Sequence, residues 1–240
     1  MSWPSRKPSR KSLLASAGVA VAAITLGLVS WQATAPADEP SGGPAASAAP
    51  RRDPAAALKA LARREAGDKL AVGSADAPVV LIEYSDFKCG YCGKFARDTE
   101  PQLIERYVHD GTLRIEWRNF PIFGAESEAA AKAAWAAGQQ DRFRQFHEAA
   151  YADGSKEKGF GEDRLLELAR QAGVPDLERF KKDMAGEQAA AALKKDQEEG
   201  YAIGVTSTPS FLVNGQPLAG AQPIGAFTAA ITQARTAAGK

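Results

Sequence analysis

One short stretch of this chain combines a buried strand, a pair of cysteines and the start of a helix. Residues 79–82 read Val-Val-Leu-Ile, a continuous apolar run typical of a strand that is buried on both faces. Cys-Gly-Tyr-Cys follows at 89–92 and leads into a helix predicted over about 92–110. These are the only two cysteines among the 240 residues. Any fold for this chain must therefore place two thiols at the start of a helix beside a buried strand.

The remaining pattern predicts an α/β sheet interrupted by helices. Residues 55–66 predict a short helix, and residues 113–121, rich in large apolar and aromatic side chains, predict a second strand. Residues 125–203 carry several helical segments and no strand signal. The dipeptide Asn214–Gly215 between two short apolar runs predicts a tight hairpin, and an amphipathic helix follows it. We therefore expect an α/β fold with one large all-helical insertion at about 125–203.

The cysteine pair has three interpretations: a structural disulfide, half of a metal site, or a redox pair. A disulfide across three residues closes a very small loop and therefore constrains the unfolded chain little. A zinc site needs two or more further nitrogen or sulfur ligands, whereas His109 and His147 are single residues on predicted helices. At a helix N-terminus, free amides and the helix dipole stabilise a thiolate. The residues favour redox chemistry at Cys89 and Cys92, without a metal or an organic cofactor.

The N-terminal region predicts export. Residues 1–12 carry four basic side chains and no acidic one, and the 19 residues of 13–31 carry no charge. That length is close to what spans a bilayer as a helix. Two interpretations remain open, a signal anchor retained in the membrane or a signal peptide cleaved within 33–37. In both, residues 1–12 form a basic cytoplasmic tip and the remainder is exported.

The rest of the composition predicts one exported domain behind a linker. Residues 32–54 are mostly alanine, proline, glycine and serine, which is typical of a flexible linker. Residues 55–240 are long enough for one domain with its own core. The whole chain has 30 basic and 29 acidic residues, a net charge of +1, which argues against a nucleic-acid partner.

Four segments of this body resemble the thioredoxin superfamily, and specifically its DsbA-like branch of exported thiol–disulfide oxidoreductases. They are VVLIEYSDFKCGYCGKF at 79–95, WRNFPIFG at 117–124, AAWAAGQQDRFRQFHEAAYA at 133–152 and GVTSTPSFLVNGQPLAG at 204–220. Their order and spacing extend the resemblance over nearly the whole exported body. The resemblance implies a thioredoxin-like fold, with a DsbA-type domain over 55–240.

The resemblance also implies roles for individual residues. Cys89 would be the exposed nucleophile and Cys92 its resolving partner. Pro209 would follow a cis peptide bond, so that Thr208 faces the disulfide and pairs with a substrate strand. Glu83 matches the family's buried acid, which can relay a proton to or from Cys92. The alternative for Glu83 is a strand residue paired with a lysine or an arginine.

The residues between and around the cysteines have simpler interpretations. Gly90 permits the tight entry into the helix, and Tyr91 is expected to cover the disulfide or to contact substrate. His147 is expected to be a packing residue of its helix, and Trp117 and Phe146 are expected to belong to the core.

The implied function is disulfide donation to secreted or envelope proteins. We expect a monomer on the outer face of a bacterial cytoplasmic membrane, or free in the periplasm or medium if the signal is cleaved. A membrane partner that passes electrons to quinone would reoxidise it. Tyr91 in the cysteine motif and Thr208 before the proline also resemble the residues of the exported disulfide isomerases at these positions. An isomerase or reductase therefore remains an alternative. Residues 32–78 are too short for the dimerisation domain of those isomerases. A non-enzymatic holdase is a third interpretation.

Overall fold

The computed structural model describes residues 53–239, and a five-stranded sheet lies at its centre. The strands are β1 (Ala71–Val72), β2 (Val79–Ser85), β3 (Leu113–Asn119), β4 (Ser210–Val213) and β5 (Gln216–Ala219). Their order in the sheet is β1-β3-β2-β4-β5. β2 and β3 are parallel, and the other neighbouring strands are antiparallel. All seven residues of β2 and of β3 are buried, which confirms the prediction of a strand with two covered faces.

Helices cover both faces of the sheet and form the insertion. They are α1 (Pro54–Lys59), α2 (Gly90–Asp98), α3 (Glu100–Leu103), α4 (Ala125–Gly138), α5 (Phe143–Tyr151), α6 (Glu162–Gln171), α7 (Leu177–Ala185), α8 (Glu187–Ala202) and α9 (Ile224–Ala237). A π-helical turn, Ile104–Val108, follows α3, and a short 3-10 turn, Lys156–Lys158, follows α5. Helices α4 to α8 lie between β3 and β4. The predicted α/β fold with an all-helical insertion is therefore confirmed.

The two central strands send alternate side chains into two different cores. Leu81 and Ile115 pack with Phe95 of α2 and Phe227 of α9. Ile82 packs in the other core, which also contains Leu58 of α1. Because strand side chains alternate between faces, the register that pairs Glu83 with Trp117 and Ile82 with Glu116 separates the two glutamates. Glu83 and Glu116 consequently lie on opposite faces of the sheet.

The Glu116 face carries a buried ionic cluster. The carboxylate of Glu116 accepts hydrogen bonds from Arg114 Nε and Arg118 Nη2, both at 2.9 Å. It also accepts from the backbone N–H groups of Arg63 and Arg64, at 3.0 and 2.8 Å. The segment that follows α1 is thereby fastened to β3.

Two predicted helices are shorter in the structure. The helix expected over 55–66 ends at Lys59, because the residues after it turn to bring their N–H groups to Glu116. The helix expected over 92–110 divides at Thr99, immediately before α3. Pro101 has no N–H to continue the hydrogen-bond ladder of α2. The two-residue strand β1 is absent from the prediction, because so short a segment shows no alternation.

The hairpin prediction is confirmed, and the N-terminal predictions fall outside the described residues. Asn214 and Gly215 connect β4 to β5 with φ angles of 46° and 84°, which is the left-handed geometry of a two-residue turn. The basic tip 1–12 and the apolar segment 13–31 are not described, and neither is the linker 32–54 except for Asp53 and Pro54. Within residues 53–239, no helix has both the length and the apolar character needed to cross a membrane.

Candidate active site

Cys89 and Cys92 lie at the N-terminus of α2, directly after β2 and its connecting loop. Cys89 is the N-cap residue, and its sulfur accepts a hydrogen bond from the backbone N–H of Cys92 at 3.4 Å. Asp86 fixes the loop, because one carboxylate oxygen accepts from the N–H of Lys88 at 2.8 Å and the other from the N–H of Ile122 at 2.7 Å. The loop after β3 thereby supports the loop that presents the cysteines.

The two thiols have opposite acidities. Both are free, with Cys89 4% and Cys92 0% exposed. A hydrogen bond from the Cys92 side chain lowers the pKa of Cys89 to about 6 despite burial, with help from backbone N–H groups of α2. Burial raises the pKa of Cys92 well above its ordinary value, and the neighbouring Cys89 raises it further. Cys89 is therefore the thiol that ionises near neutral pH.

The loop before β4 brings Thr208 and Pro209 against Cys89. The Thr208–Pro209 peptide bond is cis. The Cys89 thiol donates a hydrogen bond to the backbone oxygen of Thr208 at 3.2 Å. Pro209 is buried, and the two residues before Thr208 are exposed. Two segments separated by more than a hundred residues in sequence thus meet at one sulfur atom.

Glu83 lies on β2 and is completely buried. Its exposed fraction is 0%, and neither carboxyl oxygen has a hydrogen-bond partner within residues 53–239. No lysine or arginine of this part of the chain forms an ion pair with it, which leaves the alternative of a paired strand residue without support. Burial raises the pKa of Glu83 well above its ordinary value, and the charges of Glu100 and Cys89 raise it further. Burial therefore favours the protonated form of Glu83.

The other residues of the motif are more exposed. Tyr91 is 69% exposed, so its ring extends into solvent and is available to a substrate. Gly90, the first residue of α2, is also exposed. Cys89 itself is buried at 4% exposed, which corrects the expectation of an exposed nucleophile; the exposed residues next to it are Gly90 and Tyr91.

The comparisons with known proteins agree with this geometry. The profile of a family described as Thioredoxin matches residues 65–233. The chain belongs to the thioredoxin family.

Two relatives and one solved structure are similar to this thioredoxin-family chain. It is 33% identical over 150 residues to a protein named probable disulfide bond formation protein D of Bacillus cereus, covering 60% of this chain and 69% of the relative. It is also 33% identical to Na(+)/H(+) antiporter NhaA 1 of Salinispora arenicola, where the match covers 68% of this chain and only 24% of the antiporter. The crystal structure of oxidised BdbD from Bacillus subtilis superimposes with a TM-score of 0.66 at 22% identity, covering 72% of this chain and 95% of that one.

These findings confirm that the chain is a DsbA-like thiol–disulfide oxidoreductase of the thioredoxin superfamily. The structure brings Cys89 and Cys92 together with the Thr208–Pro209 segment, and Glu83 is buried on β2. The individual roles of these residues remain predictions.

Tyr151 and His147 are buried side chains whose place near the site was not predicted from the sequence. The ring of Tyr151 stacks on Phe87 with centroids 4.9 Å apart, and its hydroxyl lies 3.3 Å from the Ser85 hydroxyl. His147 packs one turn earlier on α5, with its ring 4.9 Å from that of Tyr151. The spacing of His147 and Tyr151 on an amphipathic helix could have indicated that they lie together, because residues four apart share one helix face.

Proposed function

We propose that the chain is an exported oxidase that introduces disulfides into secreted or envelope proteins through the Cys89–Cys92 pair. The observation that carries this proposal is the asymmetry between the two thiols. The site stabilises the Cys89 thiolate, while burial keeps Cys92 protonated. Stabilisation of the reduced form makes a dithiol pair more oxidising.

The reaction consists of two thiol–disulfide exchanges. A substrate thiolate attacks the sulfur of Cys89, the Cys89–Cys92 bond breaks, and a mixed disulfide forms at Cys89. A second substrate thiolate attacks the sulfur of the substrate in that mixed disulfide and releases Cys89 as a thiolate. The substrate loses two electrons and the cysteine pair gains them. The acidity of Cys89 favours the release step, because a thiol of lower pKa is a better leaving group.

The neighbouring residues support substrate binding at Cys89. Thr208 and Pro209 precede β4 and face the reactive sulfur, so an extended substrate segment can pair with backbone groups of this loop. Tyr91 offers an exposed aromatic ring on the other side of the sulfur. Glu83 serves as the proton donor and acceptor for Cys92.

Location and partners form part of the proposal. The basic segment 1–12 and the apolar segment 13–31 place the domain on the outer face of a bacterial cytoplasmic membrane, or beyond it after cleavage. A membrane protein that transfers electrons to quinone would reoxidise the pair. The chain would act as a monomer.

The reduction potential of the Cys89–Cys92 pair tests the direction of the reaction. A value near about −120 mV identifies an oxidant, and one near about −270 mV a reductant. Oxidation of a reduced substrate protein, compared with repair of a scrambled one, then separates the oxidase from the isomerase.

Two matched cysteine variants test the assignment of the nucleophile. Cys92→Ser is expected to retain the nucleophile and accumulate a mixed disulfide with substrate, while Cys89→Ser is expected to form none. Retention of every thiol activity in Cys89→Ser would contradict the enzymatic proposal and favour a holdase.

A further inference from the structure

A second buried carboxyl, Glu100, lies between Glu83 and a cavity that does not open at the cysteines. Glu100 is the first residue of α3 and is 6% exposed, whereas Glu83 is 0% exposed. Glu100 and His147 line a cavity of about 350 Å³, to which no residue of 79–98 contributes. The remaining charged residues that line this cavity are Asp68, Lys69, Asp141 and Arg144. A cavity of this size and polarity can hold water.

His147 connects Glu100 to the residues around Glu83. Its Nδ1 lies 3.7 Å from Glu100 Oε2. Its ring lies 4.8 Å from the ring of Trp117, which is the register neighbour of Glu83 on β3. Its ring also contacts Tyr151, whose hydroxyl reaches Ser85 on β2. Packing contacts of His147 therefore connect the cavity with residues that neighbour Glu83 on β2 and β3.

Several polar atoms along this route have no partner. Both carboxyl oxygens of Glu83 and Nε2 of His147 are buried without a hydrogen bond to any residue of 53–239. Each such atom costs folding free energy, roughly 1–3 kcal/mol. Unsatisfied groups of this kind require an explanation, and a role in proton transfer is one.

The charged groups that face Glu100 allow it to exchange protons near neutral pH. Burial raises the pKa of Glu100 to about 7; Arg144 opposes the rise and Glu148 adds to it. Arg144 and Glu148 pair with each other on α5 at 3.0 Å. Burial, followed by the charge of Arg144, lowers the pKa of His147 to about 3, so this imidazole is neutral. A carboxyl that is half protonated at working pH can both accept and release a proton.

We propose that Glu100 is the second carboxyl of a proton path from Cys92 through Glu83 to the cavity, and that His147 positions Glu100 by packing against it. Glu100 and His147 touch no substrate and are positioning residues that act through Glu83. This inference rests on the proposed function of the cysteine pair.

The path accounts for the proton that disulfide exchange requires. When a substrate thiolate attacks Cys89, the Cys89–Cys92 bond breaks and the electron pair leaves on Cys92. Glu83 donates its proton to the Cys92 thiolate and becomes a carboxylate. Glu100 then passes a proton to Glu83 and takes another from water in the cavity. During reoxidation Cys92 loses its proton along the same path in reverse.

The test compares two isosteric substitutions on neighbouring turns. Glu100→Gln removes the buried carboxyl, and Glu105→Gln removes an exposed one, which lies 3.2 Å from His109 on the surface. The measurement is the rate at which the oxidised full-length protein oxidises a dithiol peptide between about pH 6 and pH 9, by stopped-flow fluorescence. We expect E100Q to lose the step in rate near pH 7 and to be about tenfold slower near pH 8, because the supply of protons to Glu83 is lost. E105Q should match the unmodified protein.

A second pair of variants separates proton transfer from structural damage. Arg144→Gln and Glu148→Gln break the same surface ion pair. The Arg144 charge lowers the Glu100 pKa and the Glu148 charge raises it. We therefore expect the step to move to higher pH in R144Q and to lower pH in E148Q. A structural effect of losing the pair would move both profiles in the same direction.

The outcomes are distinct. An E100Q profile equal to that of the unmodified protein, or shifts of R144Q and E148Q in the same direction, would overturn the path and leave the proposed function standing. Failure of the unmodified protein to oxidise the peptide at any pH would overturn both.

Discussion

Glu83 and Glu116 lie on neighbouring parallel strands and are both 0% exposed, yet they differ in their partners. Glu116 accepts four hydrogen bonds, two of them from the arginine side chains beside it on β3. These bonds and the charge of Arg118 lower the pKa of Glu116 to about 2, although burial alone would raise it. Glu83 has no such partners, so burial raises its pKa.

The comparison shows that partners decide what a buried carboxyl does. A carboxylate with a complete set of donors stays charged and holds segments of the fold together. A carboxyl without donors stays protonated, reduces the stability of the fold and can give its proton away. One sheet therefore carries a structural acid on one face and a reactive acid on the other.

The largest expected effect is the loss of the paired acid. Glu116→Gln should lower the free energy of unfolding by about 3–5 kcal/mol, because Arg114 would remain buried without its counter-ion and Arg118 would keep only its ion pair with Glu199. Urea unfolding measures this difference, with the exposed Glu105→Gln as the control. A loss below about 1 kcal/mol would contradict the view of Glu116 as the anchor of the cluster.

The unpaired acid should respond in the opposite direction. Glu83→Leu is expected to raise the free energy of unfolding by about 1–3 kcal/mol, because an unsatisfied buried group is replaced by an apolar one of similar size. The same variant should oxidise a dithiol peptide about a hundredfold more slowly, since general acid–base assistance is lost. Urea unfolding and stopped-flow kinetics measure the two changes. If Glu83→Leu were less stable than the unmodified protein, the contrast between the two acids would not hold.

The free energy of unfolding of the unmodified protein should also depend on pH, and Glu83 and Glu116 should contribute to it in different pH ranges. This effect is smaller than that of the substitutions, because both acids remain in place. The folded pKa of Glu116 is depressed to about 2, so its contribution is present above the unfolded value of 4.5 and is lost as pH falls towards 2. The folded pKa of Glu83 is raised, so its contribution is present below 4.5 and is lost as pH rises towards the folded pKa. Denaturant unfolding from about pH 2 to 8 measures both.

Each substitution should remove one part of that profile. Glu116→Gln should flatten the acid limb below about pH 4.5, and Glu83→Gln should flatten the decline above it. Unchanged limbs in the two variants would assign the pH dependence to other groups.

The residues around Cys89 could be predicted from the sequence more completely than the buried surroundings of Glu83. Local sequence patterns identify the cysteine motif, its position between strand and helix, and the Thr208–Pro209 segment. These patterns do not depend on how the side chains pack. The burial of Glu83 follows from its place in a continuous apolar run. Its lack of a partner does not, because that depends on which side chains the insertion and the segment after α1 deliver to each face.

The least predictable contacts are the most distant ones in sequence. Arg63 and Arg64 reach Glu116 across more than fifty residues through their backbone N–H groups, and any residue except proline supplies such a group. His147 reaches Glu100 only because the helical insertion folds back over Trp117. Residue type therefore carried little information about either contact.

The smallest expected effect concerns the hydroxyl beside Glu83. The Ser85 side chain opposes the effect of burial on the Glu83 pKa, so Ser85→Ala should raise that pKa further, with a change in stability below about 1 kcal/mol. Infrared titration of the protonated carboxyl in the reduced protein measures the shift. Tyr151→Phe, which removes the other hydroxyl of the 3.3 Å contact, is the matched comparison. A lower Glu83 pKa in Ser85→Ala would contradict the assignment.

The attachment of residues 63 and 64 to Glu116 also has a mechanical consequence. Tension applied at Asp53 would pass through α1 to this cluster. There the side chains of Arg114 and Arg118 donate hydrogen bonds to the carboxylate of Glu116. Arg118 also donates to the backbone oxygen of Leu61, and Arg114 to that of Glu65. The chain that enters the domain is therefore held at β3, on the face of the sheet opposite Glu83.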